Sequence, residues 1–382
     1  MSEDLTKPAP GRRQAARAAA LGGMWLALRV GSAAAPDTAG TLLDVRQFGA
    51  RGDGKSDDTK ALESAIDDAA SRGGSVFLPP GVYLSGELRL RPHVSLCGIP
   101  AWDYRRSAGS VIRLADPRAR CLLDITGALG ATIDGLALDG GGLGTGVHGI
   151  WLNKPEYGQE DTFRIERTQV ARFTGDGIRL TRAWCFSIRH SMIAYNEGDG
   201  ISLRGWDGFL LDNWLSGNRG AGFAAREENA SCTFTGNRIE WNREGILIVG
   251  GDGYNITGNF LDRAGTGGLV ILGGRQMSIT GNFVKRSGKI ANAETYDSAQ
   301  IRIERARGIT CSANNLEAGR DDGNRGVWSP SYGIVYKELA HCVIASNVLD
   351  EGALRQLLVD LGGHGEGVVV RDNPGSLSPH AA

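Results

Sequence analysis

The chain has 382 residues, with 42 lysines and arginines against 43 aspartates and glutamates and a formal net charge of −1. That balance offers no bulk attraction to nucleic acid or to an anionic membrane surface, and neither partner is expected. Glycine, at 57 of 382 residues, is about twice the usual share of roughly 7% and has no three-residue period, so the chain turns often without being collagen-like.

Residues 1–40 have the layout of an export signal. Arg12-Arg13 precedes an alanine-rich apolar stretch, and Ser32-Ala33-Ala34-Ala35 follows as a small-residue cleavage region. The paired arginines suggest a twin-arginine type of signal and a periplasmic or extracellular destination. No uncharged apolar run approaches about 18 residues, so membrane insertion is not expected.

From residue 42 the pattern becomes structural. Leu43–Phe48 reads as a short strand and Gly49–Gly54 as a glycine turn. Ser56, Asp57 and Asp58 supply N-cap chemistry for a helix whose apolar stripe is Ala61, Leu62, Ala65, Ile66 and Ala69. Gly73-Gly74 stops that helix, Val76-Phe77-Leu78 begins a strand, and Pro79-Pro80-Gly81 turns it.

Between 162 and 284 the chain repeats. Thr168, Ser191, Asn213, Asn237, Asn259 and Asn282 follow one another at steps of 23, 22, 24, 22 and 23 residues. Apolar residues stand three before and two after each of them, and glycines recur at 177, 200, 222, 245 and 268. Short alternating apolar runs at this period mark a solenoid of strands, in which each coil buries its face by stacking on the next. The result is an all-β, single-stranded parallel β-helix over 42–375, with the amphipathic helix as its end cap and 376–382 as a frayed tail. The asparagine column continues through Asn314, Asn347 and Asn373, and longer steps predict protruding loops at 286–298 and 318–331. Cys232 and Cys342 are equivalent positions four coils apart, roughly 19 Å at about 4.8 Å per coil, too far for a disulfide. The six cysteines are expected to be largely free buried thiols.

Function must lie on the outward columns. The residue before each glycine gives His148, Asp176, Asp199, Ala221, Glu244, Gly267, Ala299 and Tyr332. Alternation sends these toward solvent. The next outward columns carry Trp151, Arg179 and Arg302, then Arg204, Arg226 and Lys337, with Trp184 and Trp206 just beyond. Asp176 and Asp199 fall about one coil apart, near the 5–5.5 Å carboxyl separation of retaining glycosidases. Asp199 and Glu244 fall about two coils apart, near the upper end of the inverting range.

The run Asp44-Val45 to Phe48-Gly49-Ala50, Gly52-Asp53-Gly54, Asp57-Asp58-Thr59 and Val76-Phe77-Leu78-Pro79-Pro80-Gly81 resembles the entry motif of the pectate-lyase-like superfamily. The resemblance covers about residues 42–375. It implies a right-handed parallel β-helix and a carbohydrate-active protein, either a glycoside hydrolase, a polysaccharide lyase or an epimerase, or a surface-structural glycan binder. Asp176-Gly177-Ile178 is similar to a polygalacturonase motif, but Gly198-Asp199 replaces paired aspartates, Ala221-Gly222 replaces His-Gly, and Arg302-Ile303-Glu304 only echoes Arg-Ile-Lys.

The expected catalytic groups are therefore Asp176, Asp199 and Glu244, with His148 as an alternative base and Tyr332 or Tyr336 as an alternative proton donor. Arg179, Arg204, Arg226, Trp151, Arg302 and Lys337 are the expected sugar-binding set, the arginines favouring an acidic polysaccharide or oligosaccharide. An enzymatic column should open into a groove walled by the 286–298 and 318–331 loops, and a binding one should lie on a flat, exposed wall. No cofactor is expected; calcium at Asp252 or Asp321-Asp322 lacks a clear ligand set. The protein is read as a monomer or a homotrimer.

Overall fold

The computed structural model describes residues 42–319 and 327–379. The leader, Asp321-Asp322 and the last three residues lie outside them. Among the described residues, parallel strands wind into a stack with three walls. Strands such as His148–Asn153, Phe223–Ala230, Ile246–Val249 and Gly267–Leu272 form one wall. Strands such as Arg164–Glu166, Thr233–Thr235 and Asn255–Thr257 form the second, and Ile178–Arg189 and Ile201–Leu211 run through both, joining them into one 22-stranded sheet. An 11-stranded sheet makes the third wall. The inward apolar residues, among them Ile178, Ile201, Phe223, Ile246, Leu269 and Ile301, pack into one continuous core.

Hydrogen-bonded side-chain columns hold the coils in register. The Asn213 side-chain amide donates both to the Ile188 carbonyl of the coil before and to Asn237 Oδ1 of the coil after, while its backbone N–H donates to Asn237 Oδ1. The same pattern continues through Asn237, Asn259, Asn282, Asn314 and Asn347 to Asn373. Each asparagine thus ties three coils together and satisfies backbone groups that a solenoid corner would bury unpaired. A second column, Asn196, Asn218 and Asn242, does the same at another corner. Its steps of 22 and 24 residues are in the sequence, but the first column concealed it.

The helix Thr59–Arg72 buries Leu62, Ala65, Ile66 and Ala69 and ends at Gly73 in the left-handed conformation. It packs on the first rungs, where Leu42–Asp44 pairs with Ser75–Leu78. Three local expectations are corrected. The strand stops at Asp44, and Val45–Phe48 is a single 3-10 turn closed by Gly49. Asp53–Asp57 is a strand rather than part of a glycine turn. Asp58 occupies the N-cap, but its carboxylate accepts the Arg51 and Gly52 amides instead of capping the helix.

Trp184 and Trp206 lie within the long strands, not beyond them. The 286–298 insertion is partly ordered as a 3-10 helix, Ile290–Thr295. At the other end Gly375–Leu377 still pairs with the coil before, so ordered pairing runs past residue 375. All six cysteines are free.

Asn237 sits in the middle of its column and is 1% exposed. Asn237→Ala strands the Leu210 carbonyl and the Asn213 N–H. A loss of about 2–4 kcal/mol is expected, since each unsatisfied buried group costs about 1–3 kcal/mol. Denaturant unfolding checks it, and a loss comparable to that of a surface alanine substitution would refute the structural role.

Candidate functional site

Strand register places His148, Asp176, Asp199, Ala221 and Glu244 in one row, on successive coils. The row is itself a hydrogen-bonded ladder, running opposite in sense to the asparagine columns. The Asp176 N–H donates to His148 Nδ1 at 2.9 Å, the Asp199 N–H to Asp176 Oδ1 at 2.8 Å, and the Ala221 N–H to Asp199 Oδ1 at 2.8 Å. Ala221 has no side-chain acceptor, so the ladder stops there.

Glycine makes this possible. A Cβ on Gly198 would come within 2.3 Å of Asp176 Oδ1, and one on Gly220 within 2.4 Å of Asp199 Oδ1. Gly198 and Gly220 thus seat the carboxylates of Asp176 and Asp199 from the preceding coil, and Gly175 seats the His148 ring in the same way.

The expectation that this row faces open solvent is therefore corrected. Asp176 and Asp199 are each 7% exposed, because their side chains lie along the stack against the next coil's backbone. Each has one oxygen committed to the ladder, and the second turns toward arginine. Asp176 Oδ2 is 3.3 Å from Arg179 Nη1 and 3.6 Å from His148 Nδ1. Asp199 is gripped by Arg226 through two contacts, 2.5 Å to Oδ2 and 3.1 Å to Oδ1.

The two carboxyl groups thus differ in surroundings. Burial is the main influence on Asp176 and raises its pKa, and the Asp199 charge adds to the rise against the opposing effects of the Asp199 amide, His148 and Arg179. Burial likewise lowers the His148 pKa, favouring neutral imidazole. Accepting the Asp176 amide at Nδ1 places the proton of that neutral ring on Nε2.

A cleft of about 270 Å³ opens over this pair, lined by Asp176, Arg179, Thr181, Asp199, Ser202, Arg204, Arg226 and Glu227. Three arginines face three carboxyl groups across it.

One wall of the cleft is a bulge. Leu203 pairs with Ala225, but Gly205 pairs with Asn229, so residues 226–228 stand opposite Arg204 alone. The extra residues project Arg226, Glu227 and Glu228, and Arg204 bonds Glu228 at 2.8 Å. Glu227 and Glu228 were missed as site residues. Their only sequence signal is the 24-residue step from Asn213 to Asn237, which does not say where extra residues emerge.

Other expected residues are placed elsewhere. Trp151 sits beside Arg179 one coil up, its ring between the His148 edge and the Arg120 guanidinium. Glu244 is not in this cleft. Arg243 and Thr266 hold it at 2.9 and 3.2 Å, in a neighbouring cleft of about 220 Å³ walled by Tyr296, Asp297 and Arg302. The 286–298 insertion thus walls the Glu244 cleft, not the Asp176–Asp199 one. Arg302 is engaged by Asp297 and Glu304, and Lys337 by Glu338.

Tyr332 is six coils from Asp176 and packs on Tyr296, while Tyr336 is buried against His364. Neither reaches the acidic pair. Among the described residues no three His, Cys, Asp or Glu side chains converge as a metal site, and no helix is long and apolar enough to cross a membrane.

Comparison with known proteins agrees with this architecture. Residues 144–284 match the family "Right handed beta helix region", and 42–108 match "Rhamnogalacturonase A/epimerase, pectate lyase-like". The chain has the right-handed parallel β-helix fold.

Mannuronan C5-epimerase AlgE6 of Azotobacter vinelandii is 33% identical over 197 residues, 46% of this chain and 21% of that protein. Alginate lyase 7 of the same organism is 29% identical over 199 residues, 46% of this chain and 22% of that protein. The matched segment is thus only about a fifth of these relatives' length. The AlgE4 A-module from that organism superposes with a TM-score of 0.63 at 18% identity, covering 88% of this chain and 100% of the module, a likeness of fold. These relatives are carbohydrate-modifying enzymes.

The raised Asp176 pKa has a consequence for stability. A folded-state value above the unfolded one contributes stability at low pH that is lost as pH rises through the folded value. Asp176→Asn keeps an oxygen for the Asp199 amide and removes the ionisation. Its stability relative to the parent should therefore improve as pH rises above the ordinary carboxylate range of about 4, as read from denaturant midpoints. A difference that does not vary with pH would contradict the assignment.

Proposed function

We propose that the protein acts on a uronate-containing polysaccharide or oligosaccharide, and that it cleaves the chain by carboxylate-assisted hydrolysis at Asp176 and Asp199. One observation carries this reading: two carboxyl groups about one coil apart occupy one cleft, one pushed up by burial and the other gripped by arginine. Carboxyl groups in such contrasting surroundings are the usual division between acid and base.

Asp176, held neutral, protonates the leaving glycosidic oxygen. Asp199 assists attack at the anomeric carbon, either directly or through water; the coil spacing of about 4.8 Å lies nearer the retaining than the inverting separation. Arg179 and Arg204 line the same cleft and offer guanidinium forks to a uronate carboxylate. Arg226 is spent on Asp199, so it positions that carboxylate rather than binding sugar. His148 fixes the start of the ladder from above.

The likeness to a mannuronan C5-epimerase and an alginate lyase favours a second reading. Here the cleft arginines neutralise the uronate carboxylate, and a site base removes the neighbouring carbon-bound proton; a proton returned to the opposite face gives the epimer, and loss of the 4-linked sugar, protonated as it leaves, gives β-elimination. A third class is a glycan binder with no turnover. Export through the 1–40 leader would place any of these functions outside the cytoplasm.

A panel of uronate polysaccharides separates them. Hydrolysis releases reducing ends, elimination gives an absorbing unsaturated end, and epimerisation changes composition without shortening the chain. On the substrate found, Asp176→Asn and Asp199→Asn are each expected to lower kcat by about 10²–10⁴. The parent's activity should fall as pH rises through the elevated Asp176 pKa. Full activity in both variants would exclude the acid–base assignment.

A further inference from the structure

We infer that a second groove, at the turn preceding the Glu244 strand, is a binding site for an anionic saccharide. It has a volume of about 440 Å³ and is lined by Arg219, Trp241, Arg243, Thr266, Lys289 and Trp328 among others. Arg219, Arg243, Thr266 and Lys289 come from four successive coils, at steps of 24, 23 and 23 residues. Three stacking steps give the groove a length of about 14 Å along the stack, enough for a short run of sugar rings.

The floor is aromatic. Trp241 is 39% exposed and meets Trp328 edge to face, with centroids 5.4 Å apart. Neither indole belongs to the continuous hydrophobic core. Large exposed aromatics gathered in a concavity mark a binding surface, and an indole offers an apolar face together with an N–H donor.

The rim is cationic. Lys289 Nζ lies 4.3 Å over the Trp328 ring. Arg219 and Arg243 pair with Glu197 and Glu244, at 3.3 and 2.9 Å, and both guanidinium groups remain at least half exposed. The Arg219–Glu197 pair is exposed on both sides, so it is weak and exchanges readily for a ligand carboxylate. Among the described lining residues there are three cations and no carboxylate. In a chain of net charge −1 this is a local choice of sign. One face of each indole carries a cation, Arg263 at 4.4 Å over Trp241 and Lys289 over Trp328, and aromatic surface charged in this way fits a saccharide carrying carboxylates better than a neutral glycan.

The groove adjoins the proposed reaction site. Thr266 lines both this groove and the Glu244 cleft. The Glu244 coil is two coils, about 9.6 Å, beyond that of Asp199. A polymer lying across the acidic pair can therefore continue past Glu244 onto the two tryptophans. The ligand's class rests on the reading given above, whereas the groove requires nothing of the chemistry at Asp176 and Asp199.

The test uses the whole protein, a long oligouronate, the corresponding disaccharide and neutral dextran, with binding followed by calorimetry. Trp241→Ala and Lys289→Ala are each expected to weaken oligouronate binding on the order of tenfold. They should raise KM for the polymer with kcat unchanged, and leave the disaccharide unaffected. Arg219→Ala, at a largely exposed side chain, should weaken binding in the same direction and reduce its salt dependence.

Oligouronate binding equal to the parent in all three variants would overturn the inference, as would a parent that binds dextran equally well or binds no oligouronate. If these variants lose affinity while Asp176→Asn and Asp199→Asn retain full turnover, the catalytic reading falls and the groove assignment stands.

Discussion

Everything in this molecule depends on the requirement that each coil hydrogen-bond to the next through its corners as well as its strands. Strand pairing alone leaves the corner amides and carbonyls facing inward without partners. Asparagine solves this because one side chain carries an acceptor for the neighbouring N–H and a donor for a carbonyl on the other side. The columns at Asn213–Asn373 and Asn196–Asn242 are therefore structural of necessity, and their regularity reports folding rather than function.

The acidic row obeys the same requirement by different means. At His148, Asp176 and Asp199 the acceptor belongs to the coil before, and an imidazole nitrogen or a carboxylate takes the place of an amide. A carboxylate used this way keeps a second oxygen free of the ladder, and these oxygens meet Arg179 and Arg226. The device that closes the stack thereby presents two buried carboxyl groups at a fixed separation, one of them held closely by an arginine through both oxygens. The bulge at 226–228 then supplies a wall and turns an exposed sheet face into a cleft.

How much of this the sequence disclosed follows from the physics of each feature. The β-helix was legible because stacking demands like residues at like positions, so the Asn213 column and the Ile178, Ile201 and Ile246 core recur at nearly constant steps. The outward rows were legible too, since Trp151, Arg179 and Ser202 pair in the register that alternation predicts. Burial was not. Alternation gives the direction of a side chain but says nothing of the neighbouring coil that covers it, which is why Asp176 and Asp199 were expected in open solvent.

Glu244 shows a related limit. It occupies the right row, but Arg243 and Thr266 draw it toward the next cleft, an outcome decided by local partners that no periodicity encodes. Gly198 and Gly220 carried a usable signal, because each stands directly before the row position one coil after Asp176 or Asp199, where the preceding carboxylate needs room. Glu227 and Glu228 entered through a two-residue excess that could have emerged at any corner.

The central claim is that the ladder's carboxyl pair forms the reaction site for an acidic glycan. A crystal structure of the Asp199→Asn protein with a bound uronate oligosaccharide tests it most directly. The account predicts a glycosidic oxygen within hydrogen-bond reach of Asp176 and a sugar carboxylate on Arg179 or Arg204. An oligosaccharide ordered only on another wall of the stack, with the Asp176 cleft empty, would contradict it.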